Sequence, residues 1–478
     1  MLRKAKWILF IIGLLLFVPW TTSSCVNEEE WLTEEVTLTF SMDTVWFDTV
    51  FTTIGTTTQQ LKIYNPTDQP LRISSVTLRQ GRLSRFRLNV DGDTSMVAKN
   101  LELGANDSIF LFVQANINPN SLTEPFLVED EIDIMCNGKL QSIPLIAYGR
   151  NAVYHMAKPG HWTSVIDCDN WDHSLPHVII GYAAVDSLCT LHLTAGDRIY
   201  FAPDAILYIY NGGTLDARGT PEQPVLFTSM RHDGWYDTLP GQWGYIWLST
   251  GSRNNVMDWT IVENGSWGVV ADTNVNSNPT LTITNSRIRN HSINGLMGQG
   301  SYIEGDNLLV TNCGSATLTL QYGGRYRFRN STFADYWPYS ANRRKNPSVI
   351  LNNYYFYNDI EYPRPLKLVE FDNCIICGNY NYHSDTTGEI LLHIDPTVEC
   401  NLRFNNCLVR SSLVDAYAHD CLLNQNPVFD TAKGMQYHPG AGSPCIGAGN
   451  ASYVSLPYDL DNQPRMTPPC IGAFERKE

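Results

Sequence analysis

Between Val36 and Gly149 apolar and polar residues alternate in short runs, among them Val36–Phe40, Gln60–Tyr64, Ser108–Val113 and Glu131–Met135. Alternation at period two puts one side of a strand in a core and the other in water. Turn signals separate the runs: Asn65-Pro66, Asp91-Gly92, Gly104-Ala105-Asn106 and Asn137-Gly138. Asn137-Gly138 joins Ile132–Met135 to Leu140–Ala147, and Asn-Gly marks a hairpin because both turn residues need positive φ. Roughly seven short strands broken by regular turns predict a β-sandwich over residues 36–150.

Farther along, a different regularity takes over. Its unit is Asn, a small or apolar residue, a variable one, an apolar one, another variable one, then Asn or Asp. It recurs at Asn285–Asn290, Asn307–Asn312, Asn330–Asp335, Asn373–Cys377 and Asn406–Arg410, with a weaker copy at Asp258–Val262. Asn285, Asn307 and Asn330 are 22 and 23 residues apart. The later gaps of 43 and 33 place insertions between Trp337 and Lys367 and between Asn379 and Cys400. A period in the low twenties is one coil of three short strands. Such a coil buries its apolar face only by stacking on its neighbours. Asparagine at the same corner of each coil tolerates the left-handed turn and can form a hydrogen-bonded ladder. Leu191–Phe201, Ala205–Leu215 and Pro224–Ser229 read as opening rungs. The pattern therefore predicts an all-β chain: a connector over 151–185 and a parallel β-helix over 186–430.

The N-terminus reads as an address rather than as fold. Arg3, Lys4 and Lys6 precede an apolar run from Trp7 to Trp20, too short for the ~20 residues of a membrane span. It fits the h-region of a secretory signal. Small residues Thr22, Ser23 and Ser24 then precede Cys25. This resembles the lipobox of bacterial lipoproteins and implies a signal peptide over 1–24 with lipid on Cys25, although Thr22 stands where the usual leucine would be. Glu28, Glu29 and Glu30 lie in an acidic tether over 25–35, similar to the surface-export signal of Bacteroidetes lipoproteins.

Two further resemblances concern the body. The segment Ile63-Tyr-Asn-Pro-Thr-Asp-Gln-Pro-Leu-Arg-Ile73 resembles a hairpin of the immunoglobulin-like modules of the ASPM/SPD-2/Hydin type. Such modules usually serve as spacers or binding platforms. The opening rungs, together with Ser443–Gly449, Asp459–Arg465 and Ile471–Glu475, are similar to right-handed parallel β-helices of bacterial surfaces, and the resemblance of the last three to closing segments implies a C-terminal cap over 431–478. Asn462-Gln463 departs from the glycine usual there. The whole resembles an uncharacterised Bacteroidetes family of β-helix lipoproteins of the outer membrane. The fold expected is an N-terminal β-sandwich followed by a right-handed parallel β-helix.

Composition narrows the function. The net charge is −15, and it becomes more negative once Arg3, Lys4 and Lys6 leave with the signal. That excludes nucleic acid as a partner, since attraction to phosphate dominates such binding. The cysteines after Cys25 lack the paired spacings of a zinc site, so no metal and no cofactor are expected. Ser286, Leu308, Ser331, Cys374 and Cys407 fall in one column of the repeat, where free cysteine packs as a small hydrophobe. Pairing of Cys400 with Cys421, or of Cys445 with Cys470, stays open near the cap.

Candidate chemistry is sparse. Arg325, Arg327 and Arg329 alternate and face one side of a strand; with Trp337, Arg343, Arg344 and Lys345 they form a basic patch able to hold an anionic glycan through bidentate contacts. Trp235, Tyr236, Trp243, Tyr245 and Trp247 are a platform for sugar rings if exposed, and core or an inter-domain pad if buried. Asp-Ser/Thr-apolar triplets at Thr44, Thr49, Ser108, Ser187 and Thr238 look like Bacteroidetes O-glycosylation sites. The paired acids Asp258 with Glu263 and Glu304 with Asp306 lie near coil corners and read as solvated turn acids. The reading is a lipid-anchored, non-catalytic cell-surface protein whose β-helix flank meets a polysaccharide or a surface protein. The alternative is a β-helix lyase or glycoside hydrolase acting on an acidic glycan.

Overall fold

The computed structural model describes residues 30–56, 58–231, 234–275, 277–338, 344, 346–380, 388–431 and 436–476. Cys25 and the signal lie outside them. The chain is all-β and forms two compact units, dividing near Arg150.

The first unit is a sandwich. One sheet runs Val45–Phe51, Lys139–Arg150, Phe126–Cys136, Leu71–Leu78, Val97–Leu103; the other runs Thr39–Phe40, Gln59–Tyr64, Ser108–Ala115, Phe86–Val90. Their inner faces close over Leu61, Ile63, Ile73, Phe86, Leu111, Ile134 and Leu145. The Asn137-Gly138 hairpin has both residues at positive φ. The segment Ile63–Ile73 is not a hairpin, because its two strands belong to different sheets. Buried Asn65 makes the crossing: its amide donates to the carbonyls of Gln69 and Gly104, each at 2.8 Å, satisfying backbone that has no ladder partner.

The second unit is a right-handed parallel β-helix. Each full coil contributes a long bent strand to an eighteen-stranded sheet and a short strand to a nine-stranded one. In one coil these are Leu281–His291 and Asn294–Gln299; in the next, Tyr302–Cys313 and Ala316–Gln321. The bend falls on the repeat asparagine. Asn285, Asn307, Asn330, Asn373 and Asn406 all have φ between 43° and 54°. Their amides form the ladder: Asn285 donates to Asp258 at 2.9 Å, Asn307 to Asn285 at 2.9 Å, and Asn373 to Asn330 at 3.2 Å. The next residue makes a second ladder. Ser286, Ser331, Cys374 and Cys407 each donate to the carbonyl two residues back. The hydroxyl or thiol also accepts from a neighbouring coil's backbone N–H, as Ser331 does from Leu308 and Cys407 from Cys374. Serine and cysteine thus recur in the column because they hydrogen-bond there, and not only because it is tight; Leu308 occupies the same column as an apolar side chain.

Two expected boundaries change. Residues 151–185 are not a connector. Val153–Met156, Thr163–Val165, His177–Ile180 and Tyr182–Val185 pair in register as the first rungs. These strands are short and lack the corner asparagine, which hides them in the sequence. A disulfide between Cys168 and Cys189 ties them to the next coil; Cys400, Cys421, Cys445 and Cys470 are free thiols.

Nor does the C-terminal segment cap the end of the helix. It runs back along one flank as a strap. Leu460, Ile471, Ala473 and Phe474 cover the outward residues Leu309, Ala334, Ile375 and Leu408. The strap grips the ladder itself. Arg465 donates to Asn307, Asn307 donates to the Tyr458 carbonyl, and Asn373 exchanges hydrogen bonds with Asn450. Asn330→Ala forces an ordinary side chain into left-handed backbone, about 1–2 kcal/mol. It also leaves one N–H of the Asn373 amide without its partner, another ~1–3 kcal/mol. Asn330→Gly relieves only the first loss, so urea unfolding should rank wild type above Gly above Ala.

Candidate functional site

The strap leaves two faces of the helix for solvent. The first bears the arginine row. Tyr326 and Phe328 are fully buried and Arg325, Arg327 and Arg329 point outward, as alternation requires. They do not form a free basic patch. The coil on one side sets Glu304 opposite Arg327 and Asp306 opposite Arg329; the coil on the other sets Glu370 and Asp372 there. Arg327 lies 3.3 Å from Glu370, and Arg329 lies 3.8 Å from Asp372. Both contacts are ion pairs, though off the axis of a hydrogen bond for Arg327 Nε and Asp372 Oδ2. Arg325 covers the ring of Tyr302 at 4.7 Å. Arg327 and Arg329 are neutralised because acids occupy their columns one rung away on each side, whereas Arg325 stands between Tyr302 and Leu368.

Arg344 is a second correction. Its side chain is 2% exposed and lies between two wholly buried carboxylates: Asp335 at 3.0 Å and Glu389 at 2.9 Å. It also donates to the Asp335 carbonyl and to Ser348. A group so enclosed holds an insertion to the helix and cannot touch a glycan. Trp337 is half-buried with its ring edge near Gly314. Arg343 and Lys345 lie outside the described residues.

The aromatic group separates into three places. Trp243 is core, stacked on Phe201 at 4.0 Å with its indole N–H on the Glu263 carbonyl. Alternation fails for it because the strand spans only Ile246–Leu248, leaving Trp243 in the preceding corner. Trp235 and Tyr236 sit in a 3-10 turn, with Arg231 over the Tyr236 ring. Only Tyr245 and Trp247 face outward on the nine-stranded sheet.

There they join aromatics that the sequence reading passed over. Tyr208 lies 4.8 Å from Trp247, Tyr245 lies 5.2 Å from Trp267, and Tyr210 packs edge-on to Tyr208. Tyr182 and Tyr210 are 44% and 46% exposed. The Trp247 indole donates to Asp272 at 2.8 Å, and burial raises that carboxyl above its ordinary value. Successive coils continue outward from here in two columns. One is Trp247, Val270, Met297, Thr319, Ile350 and Leu391. The other holds Gln299 paired with Gln321, and Asn352 paired with His393. At the far end a hairpin, Tyr354–Tyr357 with Ile360–Pro363, leaves the helix just after Asn352. Its Tyr355 stacks on Tyr362 and meets Tyr322 edge-on. The detectable signal was the outward position of each rung: Tyr208 and Tyr210 already alternate with buried Leu207 and Ile209.

The Asp-Ser/Thr triplets have a local role. The Asp107 and Asp186 carboxylates accept the next residue's backbone N–H at 2.7 Å. Ser187 and Thr238 are exposed; Thr44, Thr49 and Ser108 are half-buried. Among the described residues no three His, Cys, Asp or Glu side chains converge as a metal site.

No family model matches the chain, and no curated protein does. Among solved structures, one likeness is to a family 123 glycoside hydrolase from Clostridium perfringens, at 9% identity over 23% of this chain and 26% of that one, TM-score 0.17. Another is to the E. coli chaperone DraB, at 14% identity over 26% and 58%, TM-score 0.17. A third is to the catalytic domain of a GH87 alpha-1,3-glucanase in complex with tetrasaccharides, at 11% identity over 76% and 87%, TM-score 0.20. This chain spans about a quarter of the first and just over half of the second. At such scores no property of these proteins transfers to it.

Two arginines should therefore behave oppositely. Arg344→Met leaves two buried carboxylates without their counter-ion and should cost about 3–5 kcal/mol of stability. Arg325→Ala removes one exposed cation–π contact and should cost less than about 1 kcal/mol. Burial pushes the Asp335 carboxyl up to about 7, against the pull of Arg344. An unfolded aspartate titrates near ~3.9. Between those values the native chain holds a proton that the unfolded chain has lost, so stability should fall as pH rises through that window. Asp335→Asn should flatten the slope in denaturant titrations at stepped pH.

Proposed function

We propose that this chain is a lipid-anchored, non-catalytic protein of a Bacteroidetes outer membrane that binds glycan on the flank of its β-helix. The observation that carries the binding is the outward aromatic cluster on the nine-stranded sheet, Tyr182, Tyr208, Tyr210, Tyr245, Trp247 and Trp267. Large rings held on rigid strands and left part-exposed lose little entropy when a sugar stacks on them. Neighbouring amides and a carboxylate supply polar groups that fix orientation. The charged face speaks against the alternative of an enzyme on an acidic glycan, since Arg327 and Arg329 are already paired with acids and Arg325 lies on a tyrosine ring.

Anchoring rests on Arg3, Lys4, Lys6, the short apolar run and Cys25. The disulfide between Cys168 and Cys189 suits an exported chain, because disulfides persist in oxidising compartments. The sandwich would then act as a spacer between membrane and helix.

Cys25→Ser should move the protein from the membrane fraction to the soluble fraction and abolish incorporation of labelled fatty acid. Membrane retention with label would overturn the anchor. For binding, migration of the protein should slow in native gels cast with polysaccharide, and Trp247→Ala should restore its speed.

A further inference from the structure

We infer that the ligand is a neutral glycan chain lying along the helix axis, read by two parallel columns on the nine-stranded sheet. This rests on the glycan-binding reading above and assigns its ligand class and subsites. A pyranose is amphipathic: its faces show C–H groups and its rim shows hydroxyls. The outer surface of the sheet has the same division. Tyr208, Trp247, Val270, Met297, Thr319 and Ile350 follow one another through successive rungs as a column that is apolar except at Thr319, with Val270 and Thr319 buried between the part-exposed Trp247, Met297 and Ile350. Beside it, two residues farther along the chain from the Val270 rung onward, stand Asp272, Gln299, Gln321, Asn352 and His393. Adjacent rungs repeat at ~4.8 Å, about the length of one sugar unit. An extended chain can therefore place one ring against each rung, with its C–H face on the apolar column and its hydroxyls on the amides.

Charge selects the class. Among the described residues the two columns carry no lysine or arginine, and Asp272 is their one carboxylate. The protein is strongly acidic overall. A uronic or sulfated chain would meet a carboxylate and the negative field of the protein, with no lysine or arginine in the two columns to offset either; Arg364 lies off them, over the Tyr355 ring of the hairpin at 5.4 Å. A neutral chain meets donors and acceptors. The Asn352 carboxamide oxygen already accepts the Tyr354 N–H at 3.0 Å, which fixes the orientation of its NH2. The aromatic hairpin starts at this rung, and the Tyr208 and Trp247 rings begin the strip at its other end.

The test is calorimetric titration of the full chain in detergent with xylohexaose, cellohexaose and mannohexaose, and in parallel with polygalacturonate. We expect at least one neutral hexaose to bind and polygalacturonate not to. Gln321→Ala and Gln299→Ala lie on the strand surface and should leave thermal unfolding unchanged. Each should weaken binding of the neutral hexaose about three- to ten-fold, the size of one lost hydrogen bond. Unchanged affinity in both variants would overturn the assignment of the strip. Binding of polygalacturonate alone would overturn the neutral class while leaving glycan binding intact. No binding of either class would overturn the glycan-binding reading itself.

Discussion

The coils from Leu281 to Val409 each turn on an asparagine held in left-handed backbone. An ordinary side chain loses about 1–2 kcal/mol there, and the asparagine amide offsets that loss by bonding to the coil before it. Because the same corner recurs, the ladder fixes where each coil bends. The serine or cysteine after it fixes the same register a second time, through the N–H of the adjacent coil. A one-residue slip would exchange inside for outside along a whole strand. Two ladders side by side forbid that, and so decide which side chains reach the surface.

The three flanks then meet different ends. One carries acids and arginines in alternating rows that neutralise each other between coils. One is apolar outside as well as inside and is sealed by the C-terminal strap. The strap is tied to the corner itself, so the ladder that sets the register also holds the cover. The remaining flank keeps part-exposed rings beside amides. Its rigidity comes from the stacked coils, which hold these groups at a constant rung spacing without a ligand.

Much of the fold was legible because it repeats. Asn285, Asn307, Asn330, Asn373 and Asn406 stand out at their spacing, and the column of small residues follows from them. What lacked the repeat was misjudged. The first rungs have no corner asparagine, so Cys168 and Cys189 were not seen to lie one coil apart. The strap resembles an end cap in sequence, because nothing local says which surface an apolar segment will cover. The clue was on the other partner: Cys374-Ile-Ile-Cys377 is apolar at every position, as a strand covered on both faces must be. The arginine row read as a patch because the sequence shows three charges on one strand but not the acids that a neighbouring rung sets beside them. Arg344 shows the same blindness, since burial depends on an insertion returning to Glu389 far along the chain. The aromatics divide because the strand begins only at Ile246, which leaves Trp243 in the core and turns Tyr245 and Trp247 outward.

The most direct measurement is the crystal structure of the chain soaked with the neutral hexaose that binds best. The account predicts sugar rings along the helix axis on the nine-stranded sheet, one near Trp247 and successive hydroxyls within hydrogen-bond reach of Gln299, Gln321 and Asn352. A saturated crystal with that strip bare, or with the sugar lying on the arginine face or across the strap, would contradict it.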